Sequence, residues 1–196
     1  MADAVTTAPT LAGALWPSRT DNRIWRAVLL ALLGSAFLAL LAQIEIPFWP
    51  VPQTMQTFGV MVIGMTYGWR LAGSTVLLYL IEGAAGLPVF AGGASTVALL
   101  GPVNPTAGYL VGFVFGAMAM GWLCERGWGR HPVTAVAALL VGDALVFAVG
   151  YAWLAYFLDD AGKALEFGVL PFLFGDACKV ALVAAGLGLA WKRLKR

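Results

Sequence analysis

Charge is scarce in this chain of 196 residues. Asp, Glu, Lys and Arg together make up 11% of the sequence, whereas soluble domains carry about a quarter. Hydrophobic residues make up 61% of the sequence, and the mean hydropathy is +0.84. Because so few charges cannot cover a water-facing surface, the composition excludes a soluble globular protein. The high apolar content also excludes an intrinsically disordered one.

Cysteine and histidine are also rare. Cys124 and Cys178 lie far apart in apolar stretches, which disfavours a disulfide framework or a zinc site and predicts two small buried residues. The single histidine, His131, lies in a predicted polar loop, which disfavours a metal triad or a Ser-His-Asp site. The sequence contains neither GxxxxGK[ST] nor GxSxG. These absences favour small-molecule recognition over catalysis, and we expect no enzyme activity, no metal and no cofactor.

What the chain does have is long apolar segments. A transmembrane helix needs about 20 mainly apolar residues, and six segments approach or exceed that length: residues 26–44, 53–67, 71–85, 106–124, 133–158 and 168–191. Polar loops are expected at 125–132 and 159–166, and the Gly- and Pro-rich segment 86–105 is expected to fold back onto the helices. We therefore predict an all-α integral membrane protein. Residues 1–22 would form a mobile cytoplasmic tail, and residues 23–196 a single six-helix transmembrane substrate-binding domain.

The basic residues predict an orientation. Cytoplasmic loops of membrane proteins are enriched in Lys and Arg, and ten of the twelve in this chain fall on the side that holds both predicted termini. These are Arg19, Arg23, Arg26, Arg70, Arg126, Arg130, Lys192, Arg193, Lys195 and Arg196. Both termini are therefore predicted to be cytoplasmic. The net charge of +2 is too small to indicate a nucleic-acid partner.

Three ionisable residues stand out because they lie well away from the ends of the predicted spans. Asp176 and Lys179 are three residues apart on one helical face, so each can lower the cost of keeping the other charged. A structural ion pair is the alternative, but intramembrane charge favours a ligand site. Asp143 lies in the fifth span and is either an additional polar contact of that site or a helix-packing residue.

Four motifs, in order along the chain, resemble the BioY family. They are PVPQTMQT at residues 50–57, GLPVFAGG at 86–93, GYLVGF at 108–113 and the pair formed by Asp176 and Lys179. The family's fourth-helix opening is usually Gly-Pro-Thr-Gly-Gly-Tyr. In this chain Asn104 and Ala107 replace two of those glycines, so Asn104 can contribute a new hydrogen bond near the ligand.

The BioY resemblance implies a function. Members of this family are the biotin-binding membrane subunits, or S components, of energy-coupling factor (ECF) transporters. The expected fold has six helices and an outer-face pocket closed by the loops after helices one and three. Biotin uptake would be energised by a transmembrane coupling protein and two ATPase subunits in the cell membrane.

The resemblance also implies site residues. Asp176 and Lys179 would contact biotin, and Phe90 and Tyr109 could pack against its rings, with Gly92 and Asn104 at the same site. The small residues Ala27 and Ala31 of the first helix would dock the coupling protein. Whether the chain forms a homo-oligomer stays open.

Three other functions compete with biotin uptake. The chain could be an S component for another vitamin, such as thiamine or riboflavin. It could be a stand-alone secondary carrier in which Asp143 or Asp176 relays protons. An intramembrane enzyme is the third and least favoured reading, because the catalytic residue sets described above are missing.

Overall fold

The computed structural model describes residues 10–17, 22–95 and 104–194, and these are mostly helical. The helices are α1 (Leu11–Leu15), α2 (Arg23–Ala42), α3 (Gln56–Tyr67), α4 (Trp69–Ala84), α5 (Ala107–Glu125), α6 (Pro132–Leu158), α7 (Ala161–Gly168) and α8 (Leu170–Leu194). Single 3₁₀ turns occupy Ala91–Gly93 and Trp128–Arg130. Two strands, β1 (Glu45–Ile46) and β2 (Gln53–Thr54), form an antiparallel pair.

Each of the six predicted spans contains a helix: α2, α3, α4, α5, α6 or α8. Among the described residues, four helical stretches are long and apolar enough to cross a membrane, and the last of them runs through α7 and α8: Arg23–Ala42, Ala107–Glu125, Pro132–Leu158 and Ala161–Leu194. Helices α3 and α4 have 12 and 16 residues, fewer than the ~20 of a full crossing. The mainly helical class is confirmed, and the six crossings stay a prediction.

Helix α5 lies at the centre of the bundle and packs closely against α6. A Cβ added at Gly112 would lie 2.9 Å from the carbonyl oxygen of Val146, and one added at Gly116 would lie 2.8 Å from that of Gly142. Small residues at a helix interface allow two backbones to approach this closely. The two glycines therefore let α5 and α6 pack with their backbones in contact.

The opposite side of α5 meets the sharp junction between α3 and α4. Gly68 joins these two helices with a φ of +85°, a left-handed conformation that favours glycine. A Cβ added at Gly121 of α5 would lie 2.5 Å from the backbone nitrogen of Trp69. The junction between α3 and α4 therefore packs directly against α5 at Gly121.

The hairpin after α2 positions the start of α3. Glu45 pairs with Thr54 and Ile46 with Gln53, so residues 47–52 form a loop that returns the chain to the end of the bundle it has just left. The amide of Met55 donates to the carbonyl of Ile44 at 3.0 Å, which extends the pairing to the first residue before α3. The loop and the first turn of α3 consequently lie side by side.

A predicted polar loop is wrong, because residues 161–168 form helix α7. The Asp160 carboxylate caps this helix by accepting a hydrogen bond from the backbone amide of Lys163 at 3.0 Å. This hydrogen bond, together with the Lys163 side chain, lowers the pKa of the Asp160 carboxyl. Two acidic residues followed by glycine suggest a loop by composition, but one of them is a helix cap.

Helix α1 lies within the predicted tail, of which residues 1–9 and 18–21 lie outside the described residues. Leu11 and Ala14 are buried against the cluster formed by α3, α5 and α8. The Arg26 guanidinium donates to the carbonyl of Ala12 at 2.7 Å. Five helical residues are too few to show a periodic pattern, so the sequence does not reveal this packing.

The prediction for cysteine burial is confirmed for Cys124 and wrong for Cys178. Cys124 is buried, and its thiol donates to the carbonyl of Met65 at 2.8 Å. Cys178 is exposed on α8, because Asp176, Lys179 and Val180 occupy the inward face of that helix.

The contact between α5 and the α3–α4 junction yields a stability prediction. We expect Gly121→Ala to lower the free energy of unfolding by about 1–3 kcal/mol, the usual cost of overpacking a close-fitting core, because the methyl group meets backbone atoms that cannot rotate away. Thermal or denaturant unfolding in detergent micelles would measure the loss.

Gly186→Ala is the matched control, because a Cβ at that position of α8 meets no atom within 4 Å. This variant should unfold like the unsubstituted protein or slightly later, since Ala favours a helix over Gly. Equal losses in the two variants would contradict the proposed close contact.

Candidate binding site

A cavity of about 380 Å³ lies where α3, α5, α6 and α8 meet the loops. Its walls combine mostly apolar side chains with a few polar groups: Trp49, Pro50, Val51, Pro52, Thr54, Gln56, Thr57, Phe90, Ala91, Asn104, Pro105, Thr106, Tyr109, Leu110, Phe113, Val146, Phe147, Phe172, Asp176 and Lys179. The volume falls within the range of about 300–1,000 Å³ that is usual for small-molecule sites. We call the part of the wall formed by residues 49–52 and 90–91 the loop wall.

The two intramembrane charges predicted from the sequence form a buried ion pair on this cavity. The Lys179 ammonium donates to Oδ1 of Asp176 at 2.7 Å, and the two side chains are 8% and 3% exposed. A charge that is so far removed from solvent is tolerated only when it is paired and hydrogen-bonded. Both residues lie on α8 and line the cavity.

Lys179 uses all three of its ammonium protons within the protein. Besides Asp176 it donates to the carbonyl oxygen of Thr54 at 2.8 Å and to Oγ1 of Thr57 at 2.7 Å. An ammonium group has three donors and no acceptor. The lysine is therefore saturated, and it ties α8 to the end of β2 and the start of α3.

Asp176 keeps one oxygen free. The hydroxyl of Thr57 donates to Oδ1 at 3.0 Å, so that oxygen accepts from both Thr57 and Lys179. Oδ2 is buried and has no hydrogen-bond partner among the described residues. An unpaired buried acceptor costs free energy, so a hydrogen-bond donor that reached this oxygen would be favoured.

Sequence reasoning missed Thr54 and Thr57 as site residues. Both belong to the PVPQTMQT motif, and the resemblance places the loop after the first helix over the pocket without saying which of its side chains meet the sixth helix. Gln56 was missed as well, and it is 5% exposed although it is polar. The available signal was the cluster of polar residues at 53, 54, 56 and 57 at the start of an apolar helix.

Aromatic rings form the other side of the cavity. Tyr109 stacks on Phe172 with ring centroids 6.4 Å apart, and Phe147 meets both rings edge to face. The Tyr109 hydroxyl donates to the carbonyl of Gly168 at 2.8 Å, so its ring is held in place. Phe147 and Phe172 were missed because apolar residues of this kind occur throughout the chain.

Phe90 and Asn104, both predicted site residues, also line the cavity. Phe90 is 2% exposed, so the segment after α4 folds back as predicted; residues 96–103 of that segment lie outside the described residues. The side-chain oxygen of Asn104 accepts from the amide and the hydroxyl of Thr106, at 2.8 and 2.6 Å. In this structure Asn104 therefore shapes the turn before α5.

Gly92 and Asp143 lie outside the wall that the described residues form. Gly92 has a φ of +64° in the 3₁₀ turn that follows Phe90, where glycine is favoured. Asp143 is 8% exposed on α6, and its Oδ1 has no hydrogen-bond partner among the described residues. The role of Asp143 as an additional polar contact stays a prediction.

The residues predicted to bind a partner protein lie on a different surface. Ala27 and Ala31 are half-buried on α2, and the neighbouring side chains of Val28 and Leu32 are exposed. Small residues flanked by exposed apolar ones are compatible with a close helix contact. Their role as a docking site stays a prediction.

Apolar helices surround a largely apolar cavity whose wall carries a buried ion pair. This arrangement is that of a small-molecule-binding membrane protein. A family model described as "BioY family" matches residues 11–196, which is nearly the whole chain. The chain belongs to the BioY family, a family of multi-pass membrane transporters.

Similar proteins agree with this assignment. "Biotin transporter BioY" of Thermotoga maritima is 35% identical over 173 residues, which are 87% of this chain and 98% of that protein. "Biotin transporter BioY" of Rhizobium etli is 38% identical over 172 residues, covering 83% and 90% of the two chains. A crystal structure of the S component for biotin from an ECF-type ABC transporter superposes with a TM-score of 0.70 at 25% identity, covering 89% of this chain and 95% of that one.

The saturated ion pair yields a second stability prediction. We expect Asp176→Asn and Lys179→Met each to lower the free energy of unfolding by about 3–5 kcal/mol, because each leaves a buried charge without its partner. The double variant should lose markedly less than the sum of the two single losses. Unfolding of the ligand-free protein in mixed detergent micelles would measure all three.

The matched control is the exposed pair of Asp160 and Lys163, whose ion-pair distance is 3.3 Å. Removing Lys163 should change stability by less than about 1 kcal/mol, as for other surface pairs. Additive losses at Asp176 and Lys179 would contradict a strongly coupled buried pair.

Proposed function

We propose that this chain is a biotin-binding S component that mediates high-affinity biotin uptake. Energy comes from a separate module with a transmembrane coupling protein and two ATPase subunits. The observation that carries the proposal is the buried Oδ2 of Asp176, which has no hydrogen-bond partner among the described residues and belongs to a side chain that lines a largely apolar cavity, in a chain of the BioY family. The protein acts by binding and conformational change, without catalysis of its own and without a cofactor.

The cavity suits the chemistry of biotin. Biotin has a ureido group with two N–H donors and one carbonyl, an apolar fused ring system and a carboxylate tail. Oδ2 of Asp176 accepts from one ureido N–H, and the rings pack against Tyr109, Phe90 and Phe172. A buried acceptor that only a matching donor satisfies gives strong discrimination against analogues that lack the N–H group.

Lys179 has a supporting role in this proposal. Because its three protons are already used by Thr54, Thr57 and Asp176, it holds the carboxylate in a fixed orientation. Direct donation to the ureido carbonyl or to the carboxylate of biotin requires the release of one of these acceptors. The residues that touch biotin first are therefore Asp176 and the aromatic side chains.

The membrane topology belongs to the same proposal. Six crossings, with both termini in the cytoplasm, put the basic residues inside and the loop wall outside, in accord with the positive-inside rule. The protein lies in the cytoplasmic membrane, with the cavity open towards the outer face. Ala27 and Ala31 on α2 bind the coupling protein.

Radiolabelled biotin tests the proposal directly. We expect saturable binding to the purified protein, no comparable binding of thiamine or riboflavin, and an affinity at least tenfold weaker for Asp176→Asn, since hydrogen bonds to charged groups are the stronger ones. Asp160→Asn, at an exposed carboxylate, is the matched control and should bind as the unsubstituted protein does. A folded sample that binds another vitamin and not biotin would contradict the proposed ligand.

Asp176→Asn also leaves Lys179 unpaired, so its folding must be checked by size-exclusion chromatography. Where it fails to fold, Thr57→Val removes a hydroxyl from Oδ1 of Asp176 with little change of shape, and should weaken biotin binding. Unchanged affinity in folded samples of both variants would overturn the role of Asp176.

Uptake in cells tests the energy source. Biotin accumulation should require the coupling protein and active ATPase subunits, and Ala27→Leu with Ala31→Leu should abolish accumulation but leave biotin binding unchanged. Val28→Ala with Leu32→Ala, at exposed neighbours on α2, is the control. Full accumulation in cells that lack the ATPases, together with sensitivity to a collapsed proton gradient, would instead identify a secondary carrier.

A further inference from the structure

A series of hydrogen bonds runs from the ion pair to the far side of the loop wall. Lys179 donates to the carbonyl of Thr54, and the Thr54 hydroxyl donates to Oε1 of Gln56 at 3.0 Å. Nε2 of Gln56 then donates to the Tyr79 hydroxyl at 2.6 Å, which in turn donates to the carbonyl of Val89 at 2.9 Å. The series joins α8, β2, α3, α4 and the segment after α4.

Tyr79 is the central member of this series. It is fully buried on α4 and lies behind the cavity wall that the described residues form. Its hydroxyl both accepts and donates, so it satisfies one polar group at the start of α3 and one in the segment after α4. Its ring meets the Phe90 ring edge to face, with centroids 5.1 Å apart.

Two parts of the cavity wall thus depend on Tyr79: the start of α3 and the segment after α4. On one side Gln56, which lines the cavity, keeps its amide orientation through the Tyr79 hydroxyl. On the other side Phe90 is placed by the edge-to-face contact and by the hydrogen bond to the Val89 carbonyl next to it. Gln43 adds a second hold on this segment by donating to the carbonyl of Phe90 at 3.1 Å.

When buried polar groups are hydrogen-bonded in series, the loss of one member leaves its neighbours unpaired, which is costly. Removing the Tyr79 hydroxyl leaves the amide of Gln56 and the carbonyl of Val89 without their partner. Both groups are then free to turn towards the cavity or towards water. Tyr79 can therefore affect a ligand that it does not touch.

We propose that Tyr79 is a positioning residue, which couples the start of α3 to the segment after α4 and so pre-organises the cavity wall for its ligand. The proposal rests on the proposed function for the identity of that ligand, biotin. The order of residues 87–94, by contrast, is a property of the ligand-free protein and can be measured without any ligand. Pre-organisation of this kind raises affinity by removing an ordering cost that binding would otherwise carry.

The test compares Tyr79→Phe with the unsubstituted protein in two measurements. Amide hydrogen exchange of residues 87–94 in the ligand-free protein should become faster, because the amides of Val89, Phe90 and Gly93 are hydrogen-bonded within that segment. Dissociation of radiolabelled biotin should become roughly five- to tenfold faster, in line with the loss of one buried hydrogen bond. The number of biotin sites per folded molecule should stay the same.

Tyr67→Phe is the matched control, because Tyr67 is half-buried at the far end of α3. It should change neither measurement. A purely structural role of Tyr79 would lower the number of folded molecules and leave the dissociation rate of those that remain unchanged. Unaltered exchange at residues 87–94, or faster exchange with an unaltered dissociation rate, would overturn the proposal.

The two proposals fail in different ways. If the unsubstituted protein binds no biotin, the proposed function is wrong, and hydrogen exchange of the ligand-free protein still decides whether Tyr79 orders the loop wall. If biotin binds but Tyr79→Phe behaves as the unsubstituted protein does, only the positioning role is wrong.

Discussion

The cost of burying charge governs the architecture around the cavity. The buried ion pair of Asp176 and Lys179 is tolerated because Thr54 and Thr57 complete its hydrogen bonds. Those partners come from a segment about 120 residues earlier in the chain. The ion pair therefore constrains the hairpin, the start of α3 and the position of α8 at once, and both of its side chains line the cavity between these elements.

Helix packing determines the width of the cavity beside that ion pair. Gly112 and Gly116 let α5 and α6 approach until their backbones are in contact. Tyr109, Phe147 and Phe172 line the cavity, and their packed rings take up part of the space between α5, α6 and α8. Close backbone contacts and large rings together give the cavity its size.

The helices and the central ion pair were predictable, whereas the partners of that pair were not. Apolar length predicts helices, and two opposite charges three residues apart predict a pair on one face. Thr57, Gln56 and Tyr79 gain their roles from contacts between distant segments. Helix α7 was predicted as a loop because the capping role of Asp160 depends on its backbone conformation, which composition does not show.

The sequence by itself determined that this chain folds in a membrane, and it determined the helical class, the family and the two residues at the centre of the site. These properties follow from composition, local spacing and ordered motifs, which need no knowledge of long-range contacts. Only the tertiary structure decided that Lys179 is saturated, that Oδ2 of Asp176 has no hydrogen-bond partner among the described residues, and that Tyr79 joins the start of α3 to the segment after α4. Hydrogen bonding is short-ranged and directional, so such assignments exist only once α3, α4, α8 and both loops have come together.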